Sequence, residues 1–340
     1  ADENLRASAA AALGEIGGPR AIAALEQLLG DDIEMLQLYA LDALRAARAK
    51  VAVDRLAPLL SQPVTRKGAA TLLGASADAA AVPLLVPLLD DEMRGVRAAV
   101  VEAIARLRVA LGEQGQARLV DDVIAEIGSE TRAHVRELIS HRERDVSLAA
   151  IALAGLASDA EAVAAVLPQM DDPMVYERGL ALVERLGSKA NDALVGVLGS
   201  LEFASREALY RLIGALPGEV DVRLINLLLE GLDDPMDTIA SAATDALKRI
   251  GGRSAMAPLY RACGREGTVG EHAAEALAEI AQRQAALRPG GDHDELMLLI
   301  GGSWPQTGAS ARNLCRVVGR LGLVAFVPPL VSMLGSNDVG

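Results

Sequence analysis

The sequence is poor in aromatic side chains, which make up 2% of its 340 residues. It has two phenylalanines, Phe203 and Phe326, and one tryptophan, Trp304. A conventional globular core of this size normally uses more large rings, because each ring buries a large apolar area. Apolar residues nevertheless form 51% of the chain, with Ala and Leu dominant. Small Ala side chains let helices approach closely and both residues favour helix, so the composition indicates a core of packed helices.

Cysteine and long apolar runs are also scarce. The two cysteines, Cys263 and Cys315, lie far apart and form no CxxC pair, so a disulfide framework is excluded and two free thiols are expected. No stretch approaches the roughly 18 uninterrupted apolar residues of a membrane span. No signal peptide is visible at the N-terminus. We therefore expect a protein of the reducing cytoplasm, without membrane insertion.

Positive charge is in short supply. The chain has 33 Lys and Arg against 46 Asp and Glu, which gives a net charge of -13 and a pI of about 4.9. Phosphate backbones repel such a chain, so a general nucleic-acid role is disfavoured. The same charge favours a protein partner with a basic segment and a salt-sensitive association rate.

What the sequence has in abundance is repetition, with a period of about thirty residues. Each unit has an Ala-rich stretch, a Leu-Gly or Ile-Gly stop, a second apolar stretch and an acidic pair. Such a period predicts a solenoid, in which each unit buries its apolar face only against its neighbours. Apolar spacing within the units is helical and strand alternation is absent, so we predict an all-α fold. We align the units on the apolar anchor before each stop: Leu13, Leu44, Leu73, Ile104, Leu186, Ile213, Leu247, Leu277 and Val318.

Glycines, acidic pairs and arginines recur at fixed places in the units. Five glycines fall near the end of a first helix, where a left-handed cap or a close helix approach suits Gly: Gly14, Gly74, Gly187, Gly214 and Gly319. Acidic pairs between units are expected to cap the next helix: Asp31-Asp32, Asp90-Asp91, Asp171-Asp172 and Asp233-Asp234. Four arginines precede their anchors by seven residues: Arg6, Arg66, Arg97 and Arg206. We expect each to meet a junction Asp, with a row of ligand-binding arginines as the alternative.

Residues 4–29 (NLRASAAAALGEIGGPRAIAALEQLL) and 90–107 (DDEMRGVRAAVVEAIARL) resemble HEAT repeats of the bacterial type called PBS-lyase HEAT-like repeats. The resemblance covers nearly the whole chain. It implies a right-handed α-solenoid, a superhelix of about ten helical hairpins, with the second helices lining the concave face. On that face the resemblance places Arg20, Gln27, Asp192, Arg223, Asn226, Arg253 and Tyr260. We take Arg223, Asn226, Arg253 and Tyr260 as candidate partner contacts.

Two kinds of enzyme carry similar repeats. Deoxyhypusine hydroxylases hold two irons with several His-Glu pairs, whereas this chain has four histidines and no His-Glu dipeptide. Phycobilin lyase subunits share the repeat type but offer no motif that transfers to this sequence. We therefore expect no catalysis, no cofactor and no bound metal, and keep a lyase-like or metal-dependent protein as the alternative function.

The repeat breaks first at residues 129–144 (SETRAHVRELISHRER), which read as an added helix capped by Ser129 or Thr131. The segment is basic on an acidic protein, and its candidate partner contacts are Arg132, His134, Arg136, His141 and Arg142. A partner contact and an internal dock onto acidic neighbours are both open. His134, Glu137 and His141 also share one helical face, which leaves a metal site as a weaker alternative.

The second break spans residues 282–306, with two Gly-rich turns and the sequence Asp292-His293-Asp294. Trp304 lies here, either as a plug for an irregular junction or as an exposed binding anchor. The first residues already lie within a unit and residues 335–339 resemble the opening of another. We therefore expect one array over residues 1–340, as a piece of a longer bacterial protein that acts as a scaffold for a protein partner.

Overall fold

The computed structural model describes residues 3–198, 206–287, 293–302, 304–305 and 308–334. These residues form helices and turns with no strand, which confirms the all-α prediction. Within them, no helix combines the length and the hydropathy that a membrane span requires. The chain divides into two compact units, Ala1–Arg185 and Leu186–Gly340.

The first unit is a succession of helical pairs. Its helices, in chain order, are α1 (Glu3–Ile16), α2 (Gly18–Leu28), α3 (Glu34–Ala46), α4 (Val53–Leu56), α5 (Pro63–Leu73), α6 (Val82–Leu85), α7 (Arg94–Glu113), α8 (Arg118–Ala125), α9 (Ser129–Glu137), α10 (Arg144–Leu156), α11 (Ala162–Val166) and α12 (Pro173–Leu186). Short 3-10 segments extend several second helices: Ala57–Ser61, Val86–Asp90 and Leu167–Gln169. Prolines at the start of each of these segments favour this tighter geometry, because they remove a backbone donor.

The second unit continues the alternation. Its helices are α13 (Lys189–Gly196), α14 (Arg206–Gly214), α15 (Val222–Gly231), α16 (Asp237–Ile250), α17 (Met256–Ala262), α18 (Thr268–Ala286), α19 (Asp294–Gly301), α20 (Gly308–Leu321) and α21 (Val327–Leu334).

First helices pack against first helices in both units. In the first unit α1 contacts α3, α3 contacts α5, α5 contacts α7 and α7 contacts α10; in the second, α14, α16, α18 and α20 follow one another in the same way. The predicted anchors are buried, except for Leu13, which is half-buried. Rows of Leu and Ala thus form a core that extends from one pair to the next.

The glycine after an anchor lets two first helices touch. A Cβ on Gly74 would lie 2.5 Å from the Cα of Ala103 in the neighbouring helix, and Gly14 and Gly214 stand in the same relation to Ala43 and Ala246. Gly187 instead has a φ of +58° and serves as a left-handed cap. Both predicted roles for glycine therefore occur. The prediction was wrong at Gly319, which has open space around it and no positive φ.

A clamp of one Arg and one Asp fastens four of the junctions between repeats. Arg66 Nη1 lies 2.5 Å from Asp91 Oδ2, while Asp91 Oδ1 accepts a hydrogen bond from the Met93 N–H at 2.8 Å. The Asp91 side chain is only 3% exposed. Three further clamps have the same form: Arg6–Asp31–Ile33, Arg144–Asp172–Met174 and Arg206–Asp234–Met236. The expected pairing of arginines with junction Asp residues is thus confirmed at Arg6, Arg66 and Arg206.

The capping prediction is confirmed at Asp172, which directly precedes α12 and accepts a hydrogen bond from the Met174 N–H at 2.9 Å. At the other three junctions it was wrong in its detail. The N-cap residues before α3, α7 and α16 are Ile33, Met93 and Met236, and none makes a side-chain capping bond. Each Asp lies two positions earlier and accepts a hydrogen bond from the N–H of that N-cap residue, so it shapes the turn into the helix rather than the helix end itself.

Hydrogen bonds to carboxylates such as these make part of the stability of the fold decrease at acid pH. Hydrogen bonds from Arg223 lower the pKa of Asp221 to about 2, the Arg6 hydrogen bond lowers the pKa of Asp31, and the Met174 N–H together with Arg144 lowers that of Asp172. A depressed carboxyl pKa contributes stability that is full above the unfolded pKa of about 4 and is lost as the pH falls through the folded pKa.

We expect the triple variant D31N/D172N/D221N to show a flatter decline of its urea midpoint than the wild type between about pH 4 and pH 2. Urea unfolding followed by circular dichroism over a pH series measures this. The control is Asp233→Asn, since Asp233 is exposed and has no side-chain partner among the described residues. An unchanged slope in the triple variant would contradict the role of the three carboxylates.

Candidate functional site

The fourth repeat, formed by α7, α8 and α9, is larger than its neighbours. Helix α7 has 20 residues, whereas α5 has 11 and α10 has 13. Helix α9 contacts the segment Val86–Asp90 on one side and α11 on the other, so it occupies the place of a second helix. The surplus residues are therefore the last turns of α7 together with α8. This differs from the expectation of an added helix over 129–144, because α9 already ends at Glu137.

Helix α10, the neighbour of the lengthened α7, is apolar around nearly its whole circumference. Ten of its 13 residues are buried, among them Ser147 and Gly155. A helix that is apolar all round normally has protein on every side. Helix α12 packs on its far side, where Leu182 and Arg185 approach Gly155.

A cleft of about 620 Å³ opens above α10, between α7 and α12. Each helix contributes a continuous stripe at helical spacing. The α7 wall carries Glu102, Arg106, Val109 and Glu113; the α10 floor carries Asp145, Leu148, Ala149, Ala152 and Leu156; the α12 wall carries Arg178, Ala181, Leu182 and Arg185. The floor runs for three helical turns, or about 16 Å, so the cleft is a trough rather than a round pocket.

The arginines of the two walls differ in whether a carboxylate pairs with them. On the α7 side, Arg106 pairs with Glu102, and Arg108 Nη2 lies 3.0 Å from Asp121, whose hydrogen bond raises the pKa of Arg108. On the α12 side, Arg185 donates from Nε to the Gly155 carbonyl at 3.0 Å and pairs with no carboxylate among the described residues. Arg178 has no hydrogen-bond or ion-pair partner in the same part of the chain. The α12 wall is therefore basic.

The cleft lining contains no Ser, Cys, His, Lys or Tyr, so it offers neither a common nucleophile nor a histidine base. Across the described ranges, no group of three His, Cys, Asp or Glu residues has the arrangement of a metal site. What these three stripes can do is bind an elongated apolar segment and orient it by charge.

The basic residues predicted on α9 are largely engaged within the molecule. His134 Nδ1 lies 2.8 Å from Asp90 Oδ1, and Arg136 Nη1 lies 2.8 and 2.7 Å from the two carboxylate oxygens of Asp159, whose side chain is 5% exposed. These contacts match docking of α9 onto acidic residues of the same chain, one of the two alternatives left open for this helix.

The other candidates of residues 129–144 are placed as follows. Arg132 Nη1 reaches the Ala157 carbonyl at 3.5 Å, and His141 Nδ1 accepts from the Glu143 N–H at 3.2 Å. Arg142 is exposed and has no partner in the described part of the chain, so it stays a predicted partner contact.

The expected cap of α9 was wrong, and the weaker metal alternative finds no support. Its N-cap is Gly128, with no side-chain capping bond, and Thr131 is buried and donates to Asp90 Oδ2 at 2.7 Å. The proposed face of His134, Glu137 and His141 is not a metal site either, because Glu137 pairs with Arg97 at 3.2 Å and His134 with Asp90. Arg97 thus pairs with the carboxylate of Glu137 in its own repeat, and it contacts the junction residue Asp91 only at the backbone carbonyl, at 2.8 Å.

The candidates of the second unit lie on two second-helix segments, Arg223 and Asn226 on α15, and Arg253 and Tyr260 on residues 253–262. Arg223 forms a close pair with Asp221, and Arg253 Nε lies 2.6 Å from Glu295. Asn226 is exposed and Tyr260 is half-buried. Their partner-binding role stays a prediction.

Trp304 stacks on Phe326, with ring centroids 5.3 Å apart and an interplanar angle of 26°. This contact is what a plug of the junction predicts. Of the irregular segment 282–306, residues 288–292, 303 and 306 lie outside the described residues, and residues 282–286 continue α18.

The sequence reasoning missed the cleft residues. Two signals of the cleft were present in the sequence. The α10 segment (RDVSLAAIALAGL) lacks the polar face that the other first helices have. After the anchor Ile104, no Gly or Pro occurs before Gly112, which indicates a lengthened α7.

Comparison with known proteins identifies the repeat type. Residues 5–31, which form α1 and α2, match the PBS lyase HEAT-like repeat. This confirms the resemblance for that segment, which is a HEAT-like repeat. No curated protein matches the chain.

Among solved structures, a Kap121p mutant superposes with a TM-score of 0.54 at 15% identity, over 95% of this chain and 40% of that one. Importin beta in an ammonium sulfate condition gives 0.52 at 13% identity, over 93% of this chain and 48% of that one. Human deoxyhypusine hydroxylase in complex with glycerol gives 0.31 at 19% identity, over 73% and 91%. The chain spans less than half the length of Kap121p and importin beta, and the likeness to them shows a HEAT solenoid fold.

Proposed function

We propose that this HEAT-type solenoid is a non-catalytic scaffold that binds a partner protein, with the cleft between α7, α10 and α12 as its docking site. The observation that carries the proposal is the apolar floor of the trough. Leu148, Ala152 and Leu156 lie in one line on α10, where a solvated first helix normally carries polar residues. A pre-formed apolar trough lowers the entropy cost of binding a partner segment.

The fold and the charge support the same function. The chain shares its solenoid fold with Kap121p and importin beta, and a solenoid offers an extended surface for a partner. The net charge of -13 favours approach of a partner with a basic surface or segment and disfavours nucleic acid. We place the protein in the cytoplasm of a bacterium, on its scarce cysteines and its type of repeat.

Blocking the trough should abolish partner capture without unfolding the chain. Ala152 is half-buried on the floor, so the variant Ala152→Arg fills the trough with a long charged side chain. We expect its capture of the partner to fall at least about tenfold, as for loss of a central contact. The measurement is quantitative mass spectrometry of proteins retained from lysate by each immobilised variant.

The matched control is Ala164→Arg, an identical change at an exposed position of α11 outside the cleft. Proteins retained by the wild type and by Ala164→Arg, but not by Ala152→Arg, are the cleft-dependent partners. Equal retention by all three proteins would refute the cleft as the docking site.

A further inference from the structure

The α12 wall presents two arginines in a fixed geometry. Arg178 and Arg185 are seven residues apart, so they lie on the same face of the helix, separated along it by about 10 Å. Ala181 and Leu182 lie between them and continue the apolar floor upward. Neither guanidinium pairs with a carboxylate among the described residues. Two positive charges therefore flank an apolar patch at the edge of the trough.

The rest of the trough does not share this positive charge. Arg106 and Arg108 are neutralised by Glu102 and Asp121. Glu113 lies exposed on the α7 wall, with no partner in the part of the chain that the structure describes. An occupant of the trough therefore meets positive charge along one side only, which sets its orientation.

The dimensions of the trough suit a helix. Neighbouring packed helices lie about 8–10 Å apart, so α7 and α12, with α10 between them, are separated by about twice that distance. An α-helix with its side chains is about 10 Å across and rises about 16 Å in three turns. One short helix can therefore lie along α10, with its apolar stripe on Leu148, Ala152 and Leu156.

We propose that the occupant of the cleft is an amphipathic helix of the partner protein, with an apolar stripe toward α10 and two acidic residues seven apart that pair with Arg178 and Arg185. This inference rests on the proposed function, since it names the chemistry of the segment that the same cleft binds. Carboxylates accept two parallel hydrogen bonds from a guanidinium, so the pairs fix the register of the helix as well as its charge. The net charge of -13 repels an acidic helix from most of the remaining surface, so the two arginines restrict this helix to the trough, and the basic segment expected of the partner lies outside it.

The test is a display selection. A library of stapled helical peptides of about fifteen residues, with charged, apolar and neutral residues allowed at each position, is selected on the wild type. Peptides that also bind Ala152→Arg are removed. We expect the remaining peptides to carry an apolar stripe and Asp or Glu seven apart. We expect their affinity for R178E/R185E to fall at least about tenfold, and peptides with Lys in place of the two acids to prefer that variant.

The matched control is R55E/R249E, which changes the net charge equally at two exposed positions outside the cleft. Circular dichroism verifies that each variant is folded. Selected peptides with basic or neutral residues at the paired positions, or equal affinity for R178E/R185E and the wild type, would overturn the acidic helix and leave the proposed function standing.

Two outcomes have different consequences. If every selected peptide also binds Ala152→Arg, and if Ala152→Arg retains the same lysate proteins as the wild type, both the inference and the proposed function fail. If no peptide is selected but cis-parinaric acid, a fluorescent long-chain carboxylate, binds the wild type and not Ala152→Arg, the trough holds a small amphipathic anion and the helix is overturned.

Discussion

Replacing Gly74 with Ala is expected to lower the free energy of unfolding by about 2 kcal/mol, although Ala is the better helix former. The added Cβ would lie 2.5 Å from the Cα and 2.9 Å from the carbonyl oxygen of Ala103. Backbone atoms cannot turn aside as a flexible side chain can, so α5 and α7 must separate. The separation opens the contact around Leu73 and Ile104, both fully buried. Urea unfolding followed by circular dichroism measures the loss.

The same substitution at Gly95 provides the control. Gly95 lies exposed in α7, with no atom within 4 Å of an added Cβ and no positive φ. Gly95→Ala should therefore raise the free energy of unfolding by about 0.5–1 kcal/mol, through helix propensity alone. If both variants gained stability, the close approach of α5 and α7 would be refuted.

Removing the Asp91 carboxylate is expected to lower the free energy of unfolding by about 3 kcal/mol. In Asp91→Ala, the guanidinium of Arg66 loses its ionic partner and the Met93 N–H loses its acceptor. Because the Asp91 side chain is 3% exposed, water replaces these contacts poorly. Arg66 keeps its hydrogen bonds to the carbonyls of Leu60 and Ser61, which limits the loss.

Glu92→Ala is the control at the next position. Its exposed side chain has no partner among the described residues, so the free energy of unfolding should change by less than about 0.5 kcal/mol. A double-mutant cycle with Arg66→Ala then isolates the clamp, since the two losses should not add if the residues act as a pair. Strict additivity would show that Arg66 and Asp91 do not interact.

The features that sequence predicts well here are those with a fixed local register. The anchors and the pairing of Arg6, Arg66 and Arg206 with junction Asp residues follow from the repeat, because both partners recur at a constant spacing. The same reasoning failed at Arg97. The enlarged fourth repeat moves its junction away, and Glu137, 40 residues on, takes the place of the Asp.

The cleft and the role of α9 depend on contacts between repeats, which no single repeat encodes. His134 meets Asp90, 44 residues earlier, and Arg136 meets Asp159, 23 residues later. In the sequence the basic residues of α9 therefore resemble a surface patch, whereas in the structure most of them bind acidic residues of the same chain. The trough similarly arises only when the surplus turns of α7 lie beside α10.

The clamp has a consequence for how such a chain grows in evolution. In Arg6–Asp31 and Arg66–Asp91 the partners are 25 residues apart, so both belong to one unit. Tandem duplication of the gene segment for one unit therefore copies both partners of a clamp, and the new unit can pack against the next unit in the chain. Gain or loss of whole units leaves the other clamps intact. An insertion inside a unit separates the two partners of a clamp, and in the enlarged fourth repeat Arg97 pairs instead with Glu137, 40 residues on.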